Sequence, residues 1–208
     1  MTDSRLVWPH LQDREQFKRF YDSLHQSPSY DWRRWQFEWL KEFDPKPGSS
    51  ILDLGCSSGR NVLHYARLGH AVFGLDVSEV AFETFQALWK NEPEEVQQRC
   101  GMYPAQFIEG FLARPGLFGH TNFDNVLLTE VLEHVTDPVP VLKVARAALA
   151  PAGEAYVSAP TYHRQQDPEH VRGVTEAPLR HWCKQAGLEV FYVNQGRRRI
   201  VAKLRRAG

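Results

Sequence analysis

The chain has 208 residues, with 25 basic and 25 acidic side chains, a formal net charge of zero, and 42% hydrophobic residues. That length buries one substantial core with an appendage and is too short for two full domains. A neutral total offers no global field toward nucleic acid or anionic membrane, and nowhere do eighteen apolar residues run together as a membrane-spanning helix would need.

In chain order, residues 12 to 25 and 31 to 43 read as two helices, broken at Ser27-Pro28-Ser29. Phe17, Phe20, Tyr21 and Leu24 recur at helical spacing and define an apolar face for packing. Turn residues from Asp44 to Ser50 then separate an appendage, residues 1–47, from a domain spanning 48–208. Ile51, Leu52 and Leu54 form a short apolar strand. Gly55 and Gly59 bracket a tight turn, and a helix runs from Arg60 until Gly69 stops it. A second strand, Ala71 to Leu75, ends on Asp76.

A helix from about Val80 to Lys90, a short helical piece to Arg99 and a loop around Gly101 follow. Ala105 to Glu109 is read as the third strand, Asp124 to Thr129 as the fourth, Val139 to Leu149 as a helix and Glu154 to Ser158 as the fifth strand. Glu176 to Ala186 is a helix closed by Gly187, and Leu188–Asn194 with Arg199–Leu204 form an antiparallel pair. Strands alternating with helices, then a closing hairpin, predict a mostly parallel sheet between helix layers, with ligands at the carboxyl ends of the strands.

The loop after the first strand narrows the ligand. A dinucleotide fingerprint would need glycines at 55, 57 and 60, where this chain has Ser57 and Arg60, and no P-loop Gly-Lys-Ser or Gly-Lys-Thr occurs. Asp53 would repel phosphate yet accept hydrogen bonds from an ammonium group, and Asp76 is placed to grip ribose hydroxyls. A zwitterionic amino acid joined to adenosine, as in S-adenosylmethionine, meets both conditions.

Four segments now carry a family resemblance: Leu52-Asp-Leu-Gly-Cys-Ser-Ser-Gly59, Gly74-Leu-Asp-Val-Ser78, Phe123-Asp-Asn-Val-Leu-Leu-Thr-Glu-Val-Leu-Glu-His-Val-Thr-Asp-Pro138 and Pro151-Ala-Gly-Glu-Ala-Tyr-Val-Ser-Ala-Pro160. Over about residues 48 to 195 the chain resembles the class I S-adenosylmethionine-dependent methyltransferases. The resemblance implies an α/β fold, a Rossmann-like seven-stranded mostly parallel sheet with helices on both faces, a closing antiparallel hairpin and an N-terminal helical lid. It implies S-adenosylmethionine as cofactor and S-adenosylhomocysteine as product. Asp53, Gly55, Cys56 and Gly59 would serve the methionine end, Asp76 and Val77 the ribose, and the main chain near Phe111 and Leu112 the adenine, with Thr129 and Glu130 flooring the site. Two positions depart from the pattern: Ser57 stands where the family commonly has glycine, and Phe111 where an acid often follows the third strand.

Chemistry is expected after the fourth strand, where one helical turn would bring Glu130, Glu133 and His134 to one face. In one mechanism the protein aligns the acceptor while a histidine removes its proton, with His134 the leading base, His170 second and His163 third. In the other, Glu130, Glu133, His134 and His170 hold one divalent cation that acidifies an acceptor hydroxyl. Glu130-x-x-Glu133-His134 is similar to the metal-binding segment of small-RNA 2′-O-methyltransferases and of some ubiquinone-pathway O-methyltransferases.

Three functions stay open: methyl transfer to a small molecule at a hydroxyl oxygen, metal-assisted 2′-O-methylation of RNA, and binding of the cofactor by a non-catalytic partner protein. The first is preferred, with the cation not favoured. Six basic residues between Arg197 and Arg206 suit a solvated edge strand, and nucleic acid is not the expected partner. Cys56, Cys100 and Cys183 follow no C-x-x-C spacing and the amino terminus lacks the marks of a signal peptide, so reduced thiols in a cytoplasmic protein are expected.

Overall fold

In the computed structural model, the described residues are 14–26, 39–104, 122–162 and 170–208. Helix α1 (Arg14–Gln26) precedes β1 (Ser50–Leu54), α2 (Arg60–Arg67), β2 (Ala71–Asp76), α3 (Glu79–Trp89), α4 (Glu94–Gln97) and β3 (Cys100–Pro104). Then come β4 (Phe123–Thr129), α5 (Pro138–Ala148), β5 (Leu149–Pro160), α6 (Glu176–Gln185), β6 (Leu188–Gln195) and β7 (Arg199–Arg206). The strands form one seven-stranded sheet in the order β3-β2-β1-β4-β5-β7-β6. The first five are parallel, and β7 runs antiparallel between β5 and β6.

Period-two alternation divides the core into two layers. Leu52, Leu54, Val126, Leu128, Ala155 and Val157 face α5 and α6, while Ile51, Val72, Leu127 and Tyr156 face α2 and α3. With both faces covered, the central strands read as continuous apolar runs, as buried parallel sheets do. The exception is Asp53, fully buried on the α2 side. A carboxyl group inside such a strand is costly to ionise unless its oxygens are paired or hydrogen-bonded.

Local chemistry sets the helix ends. Ser78 caps α3 by accepting from the Ala81 amide at 3.1 Å, and Asp137 caps α5 by accepting from Val139 at 3.0 Å, with Pro138 opening the helix.

Two expectations need correction. The stretch taken as a loop around Gly101 is strand: Cys100–Pro104 pairs in register with Val72–Asp76, burying Cys100 and Met102. Gly101 and Pro104 signal turns in sequence, yet β3 is an edge strand, where a proline at the last position removes no needed donor. The proposed strand at 105–109 lies outside the described residues, as do residues 31–38 of the second N-terminal helix; residues 39–42 form a turn, with the Phe43 amide bonded to the Leu40 carbonyl at 3.0 Å. No described helix is long and apolar enough to cross a membrane, and all three cysteines are unbridged and buried.

Candidate active site

The carboxyl ends of β1, β2 and β4 meet along one rim, and a tight loop leaves β1 there. The Leu75 carbonyl accepts from the amides of Gly55 and Cys56 at 2.8 and 3.0 Å, and the Gly59 amide closes the turn on the Cys56 carbonyl at 3.0 Å. Ser57 lies in left-handed backbone, φ 52°, which explains why glycine suits this position. Its amide donates to Asp76 Oδ2 at 2.8 Å, and Ser78 donates to Asp76 Oδ1 at 2.9 Å. The adjacent Val77 amide also favours the ionised form of this carboxylate. Burial pushes the Asp76 carboxyl up, and these donors together with nearby His25 oppose that rise.

On the far side of the loop, Asp53 Oδ2 accepts from Asn61 Nδ2 at 3.2 Å, whereas Oδ1 is buried with no hydrogen-bond partner among the described residues. Burial, the largest cause, pushes the Asp53 carboxyl up to about 7, opposed by Asn61 and assisted by Asp76. Cys56 is buried, and burial followed by the two acids drives its thiol well up, so it stays protonated. Its position is a packing one: a Cβ on Gly74 would come within 2.5 Å of its sulfur.

Thr129 is buried at the end of β4, and Glu130 follows in left-handed backbone, φ 56°, its amide donating to the Ser158 carbonyl at 2.8 Å. This break diverts the chain into a tight turn closed by the His134 amide on the Val131 carbonyl at 3.1 Å. The one-faced helical cluster therefore does not form. Glu130 instead meets Arg199, whose Nη1 donates to Oε1 and whose Nη2 lies 3.2 Å from Oε2, with Ser158 Oγ 3.1 Å from Nη1. The Arg199 guanidinium also stacks 5.0 Å above the ring centre of Trp39. Burial pushes the Glu130 carboxyl up while Arg199 pulls it down; with two guanidinium nitrogens on it, we assign it as ionised.

Glu133 and His134 converge with His170. Their ligand-capable atoms lie within 4.8 Å of one another, Glu133 fully buried and the histidines half-buried. The histidine rings meet edge to face at 4.7 Å, and Glu133 Oε1 lies 3.9 Å from His134 Nε2. His170 is brought there by the chain after β5: the Val171 amide donates to the Glu133 carbonyl at 2.8 Å, and Arg172 reaches the Thr136 carbonyl. Phe111, Leu112 and His163 lie outside the described residues.

Several residues at this rim were not anticipated. From α1, Asp22 Oδ1 accepts from Ser78 Oγ at 2.6 Å and the Val80 amide at 3.2 Å, and His25 Nε2 lies 3.4 Å from Ser57 Oγ. Tyr21 sets its ring edge to face with His134 at 6.0 Å. Asn61 carried a signal, being a polar residue at the second position of the helix that leaves the glycine loop; Arg199 did not, because it was grouped with a solvated basic run.

The profile of a family described as "Methyltransferase domain" matches residues 25–193. The ubiquinone biosynthesis O-methyltransferase of Albidiferax ferrireducens is 32% identical over 124 residues, 59% of this chain and 46% of that protein. The enzyme of that name from Ralstonia nicotianae is 30% identical over 130 residues, 62% of this chain and 50% of that protein. The matched segment thus spans about half the length of these curated relatives. Among solved structures, the Burkholderia thailandensis 1,6-didemethyltoxoflavin-N1-methyltransferase is similar with a TM-score of 0.68 at 19% identity, covering 94% of this chain and 87% of that one. A putative methyltransferase from a complex with the Haloferax volcanii Trm112 activator gives 0.68 at 17% identity, covering 90% and 98%. At such identity these two speak to the fold, which they share. The family profile, the motif order and the sheet agree: this chain belongs to the class I S-adenosylmethionine-dependent methyltransferases.

Proposed function

We propose that the chain transfers a methyl group from S-adenosylmethionine to a small-molecule acceptor at a hydroxyl oxygen, with His134 as the base. The observation that carries the cofactor half is the pair of acids flanking the glycine loop. Asp53 presents a buried oxygen with no protein donor among the described residues, the right group for an ammonium, and Asp76 takes one amide on each oxygen, from Ser57 and Ser78, which leaves a lone pair on each for a vicinal diol. Gly55 turns the chain in left-handed backbone, φ 77°, where a Cβ would come within 2.9 Å of Val131. The bound cofactor supplies a sulfonium methyl, transferred in line to an aligned nucleophile.

His134 stands at the rim after β4, next to Glu133 and edge to face with Tyr21, where a proton leaving an acceptor oxygen can be taken up. Glu133 favours the imidazolium so formed. The names of the curated relatives support oxygen as the acceptor atom. Supplying labelled cofactor with a panel of hydroxylated small molecules should give labelled product, and Asp76→Ala should abolish saturable binding of S-adenosylhomocysteine. Wild-type binding without transfer to any acceptor would favour a non-catalytic binding protein.

A second reading has its own support, the convergence of Glu133, His134 and His170. With Glu130 held by Arg199, the remaining set is one carboxylate and two imidazoles, a donor set better matched to Mn²⁺ or Fe²⁺ than to Mg²⁺. A bound cation would acidify a coordinated hydroxyl, as the RNA 2′-O-methyl alternative requires. Calorimetric titration of the chain with Mn²⁺, repeated on His170→Ala, tests it without an acceptor: heat of one-site binding lost in the variant supports the cation, and no binding removes it.

A further inference from the structure

Helix α1 is fastened against the cofactor rim at three places. Lys18 bridges Asp22 and Glu79 at 3.0 and 3.2 Å, Asp22 bonds the Ser78 hydroxyl and the Val80 amide, and His25 lies 3.4 Å from Ser57 Oγ. The last contact matters because Ser57 also gives its amide to Asp76 at 2.8 Å. One residue of the glycine loop therefore stands between an imidazole from the appendage and the acid assigned to the ribose.

We infer that His25 is a positioning residue of the cofactor site: docked by α1, it serves as counter-charge to Asp76 and keeps that carboxylate able to accept the ribose hydroxyls as the pH falls. The inference rests on the cofactor reading above and deepens it. A ribose-gripping carboxylate must be ionised to accept two hydroxyl donors. Asp76 is desolvated and has Asp53 as an acidic neighbour, both of which favour its neutral form. Its amide donors and His25 act the other way. Among the described residues, the groups facing His25 include Asp76 from β2, Asp22 from its own helix and the Ser57 hydroxyl; Lys18, farther along α1, is shared between Asp22 and Glu79 of α3. Burial lowers the pKa of the imidazole, and the two acids oppose that, drawing a proton toward it as the pH drops. A proton entering the pair thus has His25 to occupy as well as Asp76. With glutamine at position 25 that proton has only Asp76 to occupy.

The test is calorimetric binding of S-adenosylhomocysteine to the full chain and to His25→Gln, from mildly alkaline to mildly acidic pH. Glutamine retains a hydrogen-bonding group toward Ser57 and cannot titrate. Affinities should agree within about threefold at the alkaline end and diverge by about tenfold or more at the acid end, where the tenfold corresponds to about 1.4 kcal/mol. A ratio that stays flat with pH, the signature of a merely structural contact, overturns the inference. A second measurement needs no cofactor: the His25 ring titration by NMR should move to lower pH in Asp76→Asn, and an unmoved midpoint overturns it equally. Absence of binding by the wild-type chain at every pH would instead remove the cofactor reading, and this inference with it.

Discussion

Gly59 combines two constraints that can be separated by experiment. It caps α2 in left-handed backbone, φ 70° and ψ 26°, and a Cβ there would lie 2.3 Å from Cδ2 of Phe85 and 3.1 Å from two further ring atoms. Placing alanine in this backbone costs about 1–2 kcal/mol, of which the stiffer unfolded chain returns about 0.4–1 kcal/mol. Phe85 is buried on α3, so the ring cannot swing into solvent, and overpacking adds about 1–3 kcal/mol. Gly59→Ala should therefore lose about 3 kcal/mol, or about 6–12 °C in Tm for a domain of this size. Gly69→Ala is the control, since φ is 94° there but nothing lies within 4 Å of the added carbon. It should lose only about 1 kcal/mol. Urea denaturation of both, and of Gly59→Ala combined with Phe85→Leu, measures the difference. The double variant should recover part of the loss through a favourable coupling between the sites. Equal destabilisation by the two glycine substitutions, with no coupling to position 85, would refute the claim that Phe85 buttresses the loop.

Ser57→Gly should raise stability by about 1 kcal/mol in the same denaturation assay, because glycine meets φ 52° without strain. Arg199→Met strands the Glu130 carboxylate in a largely buried place, and the partial exposure of the pair reduces the loss to about 2 kcal/mol; Glu130→Gln added to Arg199→Met should restore part of it. Asp53 titrates near 7 when folded and at its ordinary value when unfolded, so the folded chain holds the extra proton in between. Its contribution to stability accordingly falls as pH rises from about 4 to 7, and Asp53→Asn should flatten the stability profile across that window, read by denaturation at several pH values. Binding an ammonium to this carboxylate must expel the proton. Calorimetry of S-adenosylhomocysteine near pH 6 in buffers of different ionisation enthalpy should show net release, absent in Asp53→Asn.

The order of elements and the cofactor loop were legible because periodicity and glycine placement are local. Ile51 to Gly59 and Ala71 to Asp76 announce a strand, a turn and a carboxylate without knowledge of the rest of the chain, and the register of β1 on β2 confirms their adjacency. What escaped the sequence depends on context. Gly101 and Pro104 are turn residues until the edge position of β3 makes them tolerable. Glu130, Glu133 and His134 have helical spacing, yet the left-handed conformation at Glu130 sends its carboxylate one way and the other two side chains another. Its partner, Arg199, is 69 residues away, beyond any periodic signal. A lid from the N-terminal helices was expected from the family resemblance, but not that the polar residues Asp22 and His25 of α1 would reach the rim, since only its apolar face has a periodic signal.

The direction of β7 explains how so distant an arginine arrives. Because this strand is antiparallel, its first residue lies opposite the last residue of β5: Arg199 faces Pro160, at the same rim where β4 ends. A parallel strand in that place would deliver its carboxyl end instead, and Arg205 or Arg206 would stand there. From the rim Arg199 reaches both Glu130 and Trp39, and Trp39 is held independently through its carbonyl, which accepts from the Tyr156 hydroxyl at 2.8 Å. Glu42 accepts from Tyr192 and Asn194 on β6, both at 2.7 Å, so residues 39–42 are tied to the closing hairpin. The segment before β1 thus borders the cleft twice, through α1 beside Asp76 and through Trp39 beside Glu130. The first attachment meets residues proposed to bind the cofactor and the second the exit of β4, so the segment before β1 is bonded to two stretches of the same rim.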